Sequence, residues 1–494
     1  MNFSYGVMNK KPKKYKPKIC IYGIYCYPLF NPQYTGHFGG WEVRGSIIAK
    51  EIAKRGQFDV TMIVADHGQP HIEYREDVRL MTWVGREFWR PPSDQNYRHD
   101  EIITAENPKN ENMTRESQLQ KDNKSFTRSI LSWVFNQKLS GKNKAIVIFF
   151  IINFSGILRN LKNYFIKGFK TLIRLLIICK FQLKRVFSVF GVFDPNGANF
   201  VWYEDIEIMD KIDADIYIVP GNHIISALTA YYCKERSKNY VFLAGSDMDY
   251  DTEIKKQPQK SDIYGEPHYL KLYAIEQANV HFVQTQRQAD ILKENFGRSG
   301  YIIKNPIDLT CIFPKNINAN KILWIGTSDE RVKRPSLIFE LAKRLPDYPF
   351  VVIMKYADGE TFDECLKMAQ LLRNVTMITD VPYLKIESYF SDAKLFINTS
   401  VFEGFPNTFL QAAKYGVPVV ATDVDPNGML SQYGCGITCG GDFERFVHGV
   451  KHLITDEPLY NRMSAAALHY VRIYHDKDII IPQYEKAFQD LLRA

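Results

Sequence analysis

Residues 394–425 read KLFINTSVFEGFPNTFLQAAKYGVPVVATDVD and contain a complete strand–loop–helix–strand unit. Lys394–Asn398 is short and apolar, which predicts a buried strand. Thr399–Pro406 is a polar loop that carries a glycine. Asn407–Tyr415 has helical spacing and is followed by a glycine, the residue type that best accepts a left-handed helix end. Val417–Ala421 predicts a second buried strand, so the unit indicates a parallel α/β sheet.

The loop of this unit is predicted to lie at a ligand-binding edge. Open α/β folds bind their ligands outside the carboxyl ends of the strands. The following helix directs free N–H groups and its positive dipole end into that space, which suits a phosphate. Pro406 fits the first helical turn, where its missing N–H has no cost. Glu403 at the loop rim and Gln411 one turn into the helix would frame a polar pocket beside the anion.

The segment EGFPNTFLQAAKYGVPVVATDV resembles the donor-sugar motif of the family-four glycosyltransferases, which have the two-domain GT-B architecture. The family pattern is Glu, seven residues, Glu. The resemblance implies that Glu403 contacts the hydroxyls of the transferred sugar. Gln411 stands where the second Glu would grip the nucleotide ribose, and it can still form hydrogen bonds with a ribose diol. The other donor-binding residues that the motif implies are Gly404, Phe405, Pro406, Asn407 and Thr408.

Composition bounds the fold class. The chain has 494 residues, 45% of them hydrophobic and 24% charged, which permits two or three globular domains and excludes wholesale disorder. Eight scattered cysteines show no Cys-x-x-Cys spacing and are expected to be buried, reduced thiols of a cytosolic protein. No signal peptide is evident, and residues 1–17 form a polar, basic tail.

The N-terminal part repeats the strand–loop–helix order. After an apolar strand that begins at Lys18, a glycine-rich turn precedes the helix Trp41–Arg55. In the family this loop closes over the donor phosphates and the acceptor, which implies a donor-side role for Gly39 and Gly40. Family members carry a histidine facing the sugar near the position of His223. The alternative for His223 is a helix-start histidine without chemistry.

The segment KILWIGTSDERVKRPSLIFELAKRLPDYPFVVIM, residues 321–354, predicts strand, charged loop, helix and strand. The family places an Arg and a Lys in this loop, and both contact the diphosphate. Lys333 matches the lysine, and its charge would stabilise the leaving nucleoside diphosphate. Thr327 occupies the usual arginine position, and the sequence leaves open whether Arg331 or Arg334 replaces it. Backbone groups near Val381 are implied to contact the nucleobase.

Residues 123–193 contain thirteen Lys or Arg and no Asp or Glu. On a helical wheel, the basic residues from Arg159 to Arg185 occupy one arc and most apolar residues the other. This pattern favours an interfacial helix on an anionic membrane surface through residues 144–190. A helix packed on the N-terminal domain remains the alternative. Nucleic-acid binding is the weakest interpretation, because the apolar face is large and no nucleic-acid module surrounds it.

No metal or other cofactor is expected, because a lysine and a helix dipole already serve the diphosphate. Short Asp-x-Asp triplets occur at four places, but triplets of this length arise by chance. Their positions are Asp213/Asp215, Asp247/Asp249, Asp249/Asp251 and Asp423/Asp425.

We therefore predict an α/β protein of GT-B type, in which two Rossmann-like domains face each other across a cleft. The predicted N-terminal domain is 18–308, with a polar loop and basic amphipathic helical insertion at 91–200. The C-terminal, nucleotide-sugar-binding domain is predicted at 309–472, and a terminal helical segment at 473–494 returns to the first domain.

The resemblance implies a retaining, metal-independent hexosyltransferase with Glu403, Lys333 and His223 as catalytic residues. It would act at the cytoplasmic face of the cell membrane in surface-polysaccharide synthesis, on a lipid-linked saccharide or oligosaccharide acceptor. Two alternatives stay open. One is another GT-B enzyme of sugar nucleotides, either an epimerase or a glycogen-synthase-like polymerase. The other is a non-catalytic, membrane-bound protein that binds nucleotide sugars.

Overall fold

The computed structural model describes residues 15–34, 39–83, 203–310, 313–379 and 381–493. The predicted polar loop and basic insertion at 91–200 lie outside these residues, as does most of the predicted basic tail. Among the helices of the described ranges, none combines the length and the hydropathy that a membrane span requires.

The N-terminal domain is built on an eight-stranded sheet. Its strands are β1 (Lys18–Tyr22), β2 (Asp59–Val64), β3 (Ile72–Arg75), β4 (Val78–Thr82), β5 (Ile216–Pro220), β6 (Asn239–Leu243), β7 (Val280–Val283) and β8 (Gly300–Ile302). Its α-helices are α1 (Tyr27–Phe30), α2 (Gly40–Arg55), α3 (Tyr203–Ile212), α4 (Ile224–Arg236), α5 (Thr252–Lys256), α6 (His268–Gln277) and α7 (Gln286–Phe296), and a 3-10 helix spans Asp247–Tyr250. The strand order is β3-β4-β2-β1-β5-β6-β7-β8, and every neighbouring pair is parallel except β3 with β4.

The C-terminal domain is built on a fully parallel, six-stranded sheet. Its strands are β9 (Lys321–Thr327), β10 (Phe350–Lys355), β11 (Val375–Ile378), β12 (Ala393–Asn398), β13 (Val419–Ala421) and β14 (Gly436–Thr438). Its α-helices are α8 (Ser336–Arg344), α9 (Gly359–Leu371), α10 (Tyr383–Ser391), α11 (Asn407–Lys414), α12 (Phe443–Thr455) and α13 (Glu457–Tyr474), and a 3-10 helix spans Pro426–Gly428. The strand order is β11-β10-β9-β12-β13-β14, with the first strand of the domain at the centre.

Helices cover both faces of each sheet. Residues of α3, α4 and α6 share one buried cluster with the N-terminal sheet, and residues of α2 share the cluster on its other face. In the C-terminal domain, α8, α9 and α12 cover one face, while α10, α11 and α13 cover the other. Strands buried on both faces explain the nearly continuous apolar runs in the sequence. The predicted GT-B arrangement of two Rossmann-like domains is confirmed, whereas the helical insertion lies outside the described residues.

The chain crosses between the domains twice. Ile307 on the outward crossing forms a parallel bridge with Asp476 on the return. Helix α14 (Lys477–Arg493) follows and buries Ile481, Tyr484 and Phe488 in the core of the N-terminal domain. The hydroxyl of Tyr484 accepts a hydrogen bond of 2.9 Å from the guanidinium of Arg44, which is itself buried in α2. The last helix is therefore part of the first domain.

The six cysteines in the described ranges are all free and buried. Burial raises the pKa of Cys439 to about 11 and that of Cys365 and Cys435 to about 12. These thiols therefore stay protonated near neutral pH and pack as small apolar side chains.

Candidate active site

The parallel strands of the C-terminal sheet end at one edge. Glu403 and Lys333 lie in the loops that follow β12 and β9 there, and these two strands are neighbours. The corresponding edge of the N-terminal sheet carries the loops after β5, β6 and β7. Both sets of loops lie at the carboxyl ends of parallel strands, which is where folds of this class bind ligands.

The two edges touch at the glycine-bearing loop. A Cβ atom on Gly404 would lie 2.6 Å from the carbonyl oxygen of Gly245 in the N-terminal domain, so only glycine fits without a shift. The next amide, Phe405 N, donates to Gln284 Oε1 at 2.8 Å. The Asn407 side-chain amide donates to the carbonyl of Gly40. The loop thus meets the opposite domain at three closely spaced residues, Gly404, Phe405 and Asn407.

Glu403 and Lys333 form an ion pair inside this cleft. Lys333 Nζ contacts Glu403 Oε1, and the side chains are 27% and 18% exposed. Ser400 Oγ donates to the same carboxylate oxygen at 2.8 Å. Both contacts fall on Oε1, and among the residues that the structure covers Oε2 has no hydrogen-bond partner. One carboxylate oxygen therefore stays available beside a cation.

Backbone contacts tie the two loops together. Thr399 Oγ1 donates to the carbonyl of Lys333 at 2.5 Å and accepts from Trp324 Nε1 at 3.0 Å. The amide of Val401 donates to the carbonyl of Val332 at 2.9 Å. These bonds join two loops that are about 70 residues apart in sequence. They fix the positions of Lys333 and Glu403 relative to each other.

The structure separates the roles of Arg331 and Arg334, which the sequence could not. Arg334 donates to the carbonyl of Thr399 at 2.7 Å and pairs with Asp423, so it holds the floor of the glycine-bearing loop. Its φ of 45° lies in the left-handed region, which is costly for a side chain of this size. Arg331 is 60% exposed and pairs with Asp329 at 3.2 Å. Its guanidinium carbon lies 5.9 Å from the ring centre of Tyr264, in the N-terminal domain. Arg331 is therefore the arginine that faces the cleft.

The remaining predicted donor-binding residues fall into two groups. Gly404, Pro406, Thr408 and Gln411 lie on the loop or on the first turns of α11, and Gln411 is 7% exposed. Pro406 is the N-cap of α11 and has extended backbone angles, so it precedes the first turn in which the sequence analysis placed it. In contrast, the Phe405 ring and the Val381 side chain are buried in one core cluster. Only backbone atoms of these two residues could reach a ligand.

Asn305 closes the polar network behind the loop. Its side-chain amide donates to the carbonyl of Phe405 at 3.1 Å and to Asn407 Oδ1 at 3.0 Å. The backbone carbonyl oxygen of Asn305 lies 2.8 Å from Nδ1 of His475, which is fully buried. The ring centre of His475 lies 4.7 Å from that of Phe405. Burial lowers the pKa of His475 to about 3, so the ring is neutral. The interdomain crossings and the loop therefore share one set of contacts.

On the opposite wall, Gly39 and His223 are exposed at the starts of α2 and α4. The His223 ring folds back over Gly221, where an added Cβ would lie 2.8 Å from Nε2. Glu42 is a further residue of this wall that was not predicted from the sequence, and its Oε2 accepts a hydrogen bond from Gly39 N at 2.6 Å. Burial raises the pKa of Glu42, while the charges of Lys355, at the end of β10, and His223 oppose that rise. The signal for Glu42 was its place two residues after the paired glycines.

Two aspartates of the Asp-x-Asp triplets, Asp249 and Asp423, form contacts that hold loops in place. Asp249 accepts from the amides of Gly245, Ser246 and Asn222 at 2.7–3.0 Å. Asp423 pairs with Arg334. Within the described ranges, no group of three or more His, Cys, Asp or Glu side chains is arranged to hold a metal ion.

Comparisons with known proteins agree with this architecture. The family model described as "Glycosyl transferases group 1" matches residues 312–469. A lipopolysaccharide 1,6-galactosyltransferase of Salmonella typhimurium is 24% identical over 204 residues, which are 39% of this chain and 52% of that protein. Glycosyltransferase 1 domain-containing protein 1 of Xenopus tropicalis is 22% identical over 165 residues, 33% of this chain and 48% of that protein. The chain spans about half the length of these curated relatives.

Among solved structures, a sucrose-phosphate synthase from Thermosynechococcus elongatus superimposes with a TM-score of 0.59. The match covers 97% of this chain and 100% of that chain at 11% identity, and it shows the fold alone. Residues 312–469 are therefore similar to the group 1 glycosyl transferases, and the fold of the chain is GT-B.

Proposed function

We propose that this protein is a retaining glycosyltransferase that moves a sugar from a nucleotide-sugar donor to a saccharide acceptor. The observation that carries the proposal is the contact between Lys333 and Glu403 at the cleft edge of the C-terminal sheet. It places an ammonium group beside a carboxylate that can accept hydrogen bonds, next to the N-terminus of α11. A nucleotide sugar presents the matching chemistry, because a diphosphate is joined there to a ring of hydroxyls.

In this proposal, Lys333 and the first turn of α11 hold the diphosphate, and Arg331 contributes from the exposed side. These charges stabilise the leaving group as the bond between the sugar C1 and the phosphate oxygen breaks. Glu403 accepts hydrogen bonds from the sugar hydroxyls through Oε2. The acceptor oxygen bonds to C1 on the same face, and its proton passes to the departing phosphate. The family resemblance supports this front-face course, which retains the configuration at C1.

The acceptor is proposed to enter from the N-terminal wall, between Gly40 and His223. Glu42 adds a carboxylate whose raised pKa keeps it suited to exchange a proton or a hydrogen bond there. No metal is required, because Lys333 and the helix dipole serve the diphosphate. These assignments rest on where the side chains lie in the cleft.

The acceptor class and the location are further parts of the proposal. The name of the Salmonella relative supports a bacterial surface saccharide, lipid-linked, as the acceptor. Thirteen basic and no acidic residues between 123 and 193 support contact with the anionic cytoplasmic face of the membrane. Salt and carbonate washing of membranes tests this contact. A variant with Lys162, Lys167 and Lys170 replaced by Glu should move to the soluble fraction, and unchanged partitioning would contradict membrane contact through these residues.

The donor is tested with a panel of uridine, guanosine and adenosine diphosphates in a melting-temperature assay. A ligand that binds only the folded state at 100 times its Kd adds about 2.7 kcal/mol to the unfolding free energy. One base should therefore raise the melting temperature by several degrees, and its nucleotide sugar should be turned over only when an acceptor is added. The absence of any shift across the panel would contradict the proposal.

A further inference from the structure

A cavity lies on the C-terminal domain at the edge of its sheet opposite the cleft. Its volume is about 420 Å³, and it is bounded by the segment that begins at Phe313 and by helices α11 and α13. Lys394, near the start of β12, is in its wall, and the glycine-bearing loop follows the other end of that strand. At about 3.3 Å per residue, roughly 15–20 Å separates the cavity from the cleft. It is therefore a site of its own.

The charge in this cavity is only partly balanced. Lys414 Nζ lies 2.7 Å from Glu387 Oε1, and this buried pair neutralises one of three lining lysines. Lys315 Nζ donates to the carbonyl of Ala393 at 2.5 Å. Lys394 Nζ lies 3.7 Å from the ring centre of Tyr460. Among the described residues that line the cavity none is acidic, and none of the ion pairs between described residues involves Lys315 or Lys394.

Lys315 and Lys394 both line the cavity, and the effect of Lys394 on the pKa of Lys315 is smaller than that of Asp392. Burial lowers the pKa of Lys315 to about 8, Asp392 at the rim raises it in part, and Lys394 lowers it further. Asp392 is already paired with Lys321 at 2.5 Å, so it is shared. Like charges held together in a half-buried space are unfavourable, and a bound anion would remove that cost.

One side of the cavity is apolar. Phe313 and Leu468 line it beside the Tyr460 ring. Ile317, at its edge, is 93% exposed. An apolar wall next to two ammonium groups suits an anion that carries a carbon skeleton, and the volume is in the range of small-ligand pockets.

We propose that this cavity binds a phosphate-bearing ligand, with Lys315 and Lys394 contacting the phosphate and the apolar side chains of Phe313 and Leu468 contacting its carbon part. The phosphate can belong to a free phosphate ester or to a lipid headgroup, since both present the same group. Helix α11 runs from the cleft at Asn407 to the cavity at Lys414, about 12 Å at 1.5 Å per residue.

Inorganic phosphate is the first probe, titrated against the full chain at constant ionic strength and followed by melting temperature and calorimetry. We expect a dose-dependent rise in melting temperature that is lost in the double variant Lys315→Gln, Lys394→Gln, with affinity at least tenfold weaker. The matched control is Lys367→Gln, Lys451→Gln, which removes two exposed lysines elsewhere and should respond like the wild type. The affinity should also fall as the pH rises through about 8, where Lys315 loses its proton.

A third variant, Lys333→Gln, separates this site from the cleft. A phosphate response that survives Lys333→Gln and disappears in the double variant supports the cavity. A response that disappears with Lys333→Gln, persists in the double variant, or is absent from the wild type overturns the proposal. Vesicles of phosphatidylglycerol and of phosphatidylcholine then identify the source. If the wild type sediments with phosphatidylglycerol vesicles and the double variant does not, the ligand is a lipid headgroup. If the double variant loses the phosphate response but sediments like the wild type, the ligand is a free phosphate compound.

Discussion

Replacing Glu403 by Gln tests the proposed donor site with almost no change in shape. In the wild type, Oε1 accepts from Lys333 and from Ser400. If the amide oxygen of the variant keeps the position of Oε1, the NH₂ group replaces Oε2. The NH₂ group then faces the sugar hydroxyls as a hydrogen-bond donor, where the wild type has an acceptor. If the amide turns around, the NH₂ group meets the Lys333 ammonium. In neither orientation can the amide accept hydrogen bonds both from Lys333 and from the sugar, as the carboxylate is proposed to do.

The size of the effect follows from these contacts. A hydrogen bond to a charged group contributes about 1.5–3 kcal/mol, so losing one bond to a sugar hydroxyl lowers kcat/KM by about 10- to 150-fold. The ion pair is partly exposed, at 27% and 18% for the two side chains, and contributes no more than about 1 kcal/mol to stability. The melting temperature should therefore change by less than about 4 °C.

The assay is release of nucleoside diphosphate from the nucleotide sugar whose diphosphate best stabilises the protein, with a membrane lipid extract as acceptor. Glu340→Gln is the matched control, because Glu340 pairs with Lys343 on the surface of α8 at 3.3 Å, away from the cleft. We expect the control to keep its activity. A Glu403→Gln variant that is within twofold of the wild type, or one that loses activity only because it unfolds, would refute the assigned role.

Three other perturbations have definite expected outcomes. Gly404→Ala brings a Cβ to 2.6 Å from Gly245 O, which should cost about 1–3 kcal/mol of stability and open the cleft; small-angle scattering that matches the wild type would contradict this. Lys333→Gln should weaken nucleoside diphosphate binding at least tenfold by calorimetry, whereas EDTA should leave transfer intact, and restoration by Mn²⁺ of activity lost to EDTA would count against metal independence. Burial lowers the pKa of His475 from 6.5 to about 3. Between these pH values the unfolded chain binds a proton at His475 and the folded chain does not. The unfolding free energy therefore decreases as the pH falls below 6.5, by about 1.4 kcal/mol per pH unit for this group. Urea titrations of His475→Gln should show a shallower pH slope than the wild type, and the exposed His469→Gln should not.

Local pattern predicted most elements of the C-terminal domain, because its strands are buried on both faces and its helices are bounded by residues with distinct backbone preferences. Where the boundaries differ, a specific residue is responsible. The strand predicted at Val417–Ala421 begins at Val419, since Pro418 has no N–H to contribute to the ladder. Strand β5 begins at Ile216, because Asp213 adopts a φ of 46° and the Asp215 carboxylate accepts a hydrogen bond from the amide of Lys18.

The site was harder to predict, because it depends on which strands become neighbours. Lys333 and Glu403 were each predicted from their own loops, but their contact requires β9 and β12 to be adjacent in the sheet. Gln284 and Glu42 were missed for a different reason. A glutamine after a strand and a glutamate in a first helical turn are ordinary in sequence. Gln284 gains its contact with Phe405 only because the second domain approaches, and Glu42 caps its own helix through Gly39 N.

The return of α14 to the first domain has a consequence for how the protein is made. The C-terminal domain is, in topological terms, an insertion between β8 and α14. During synthesis the first domain emerges early but lacks the side chains of Ile481, Tyr484 and Phe488 until about 170 further residues have been added. At 5–20 residues per second this takes roughly 10–35 s. For that time one face of its core stays uncovered on the ribosome, while the inserted domain can complete its own core first. Helix α14, made after the inserted domain, therefore decides when the first domain becomes stable.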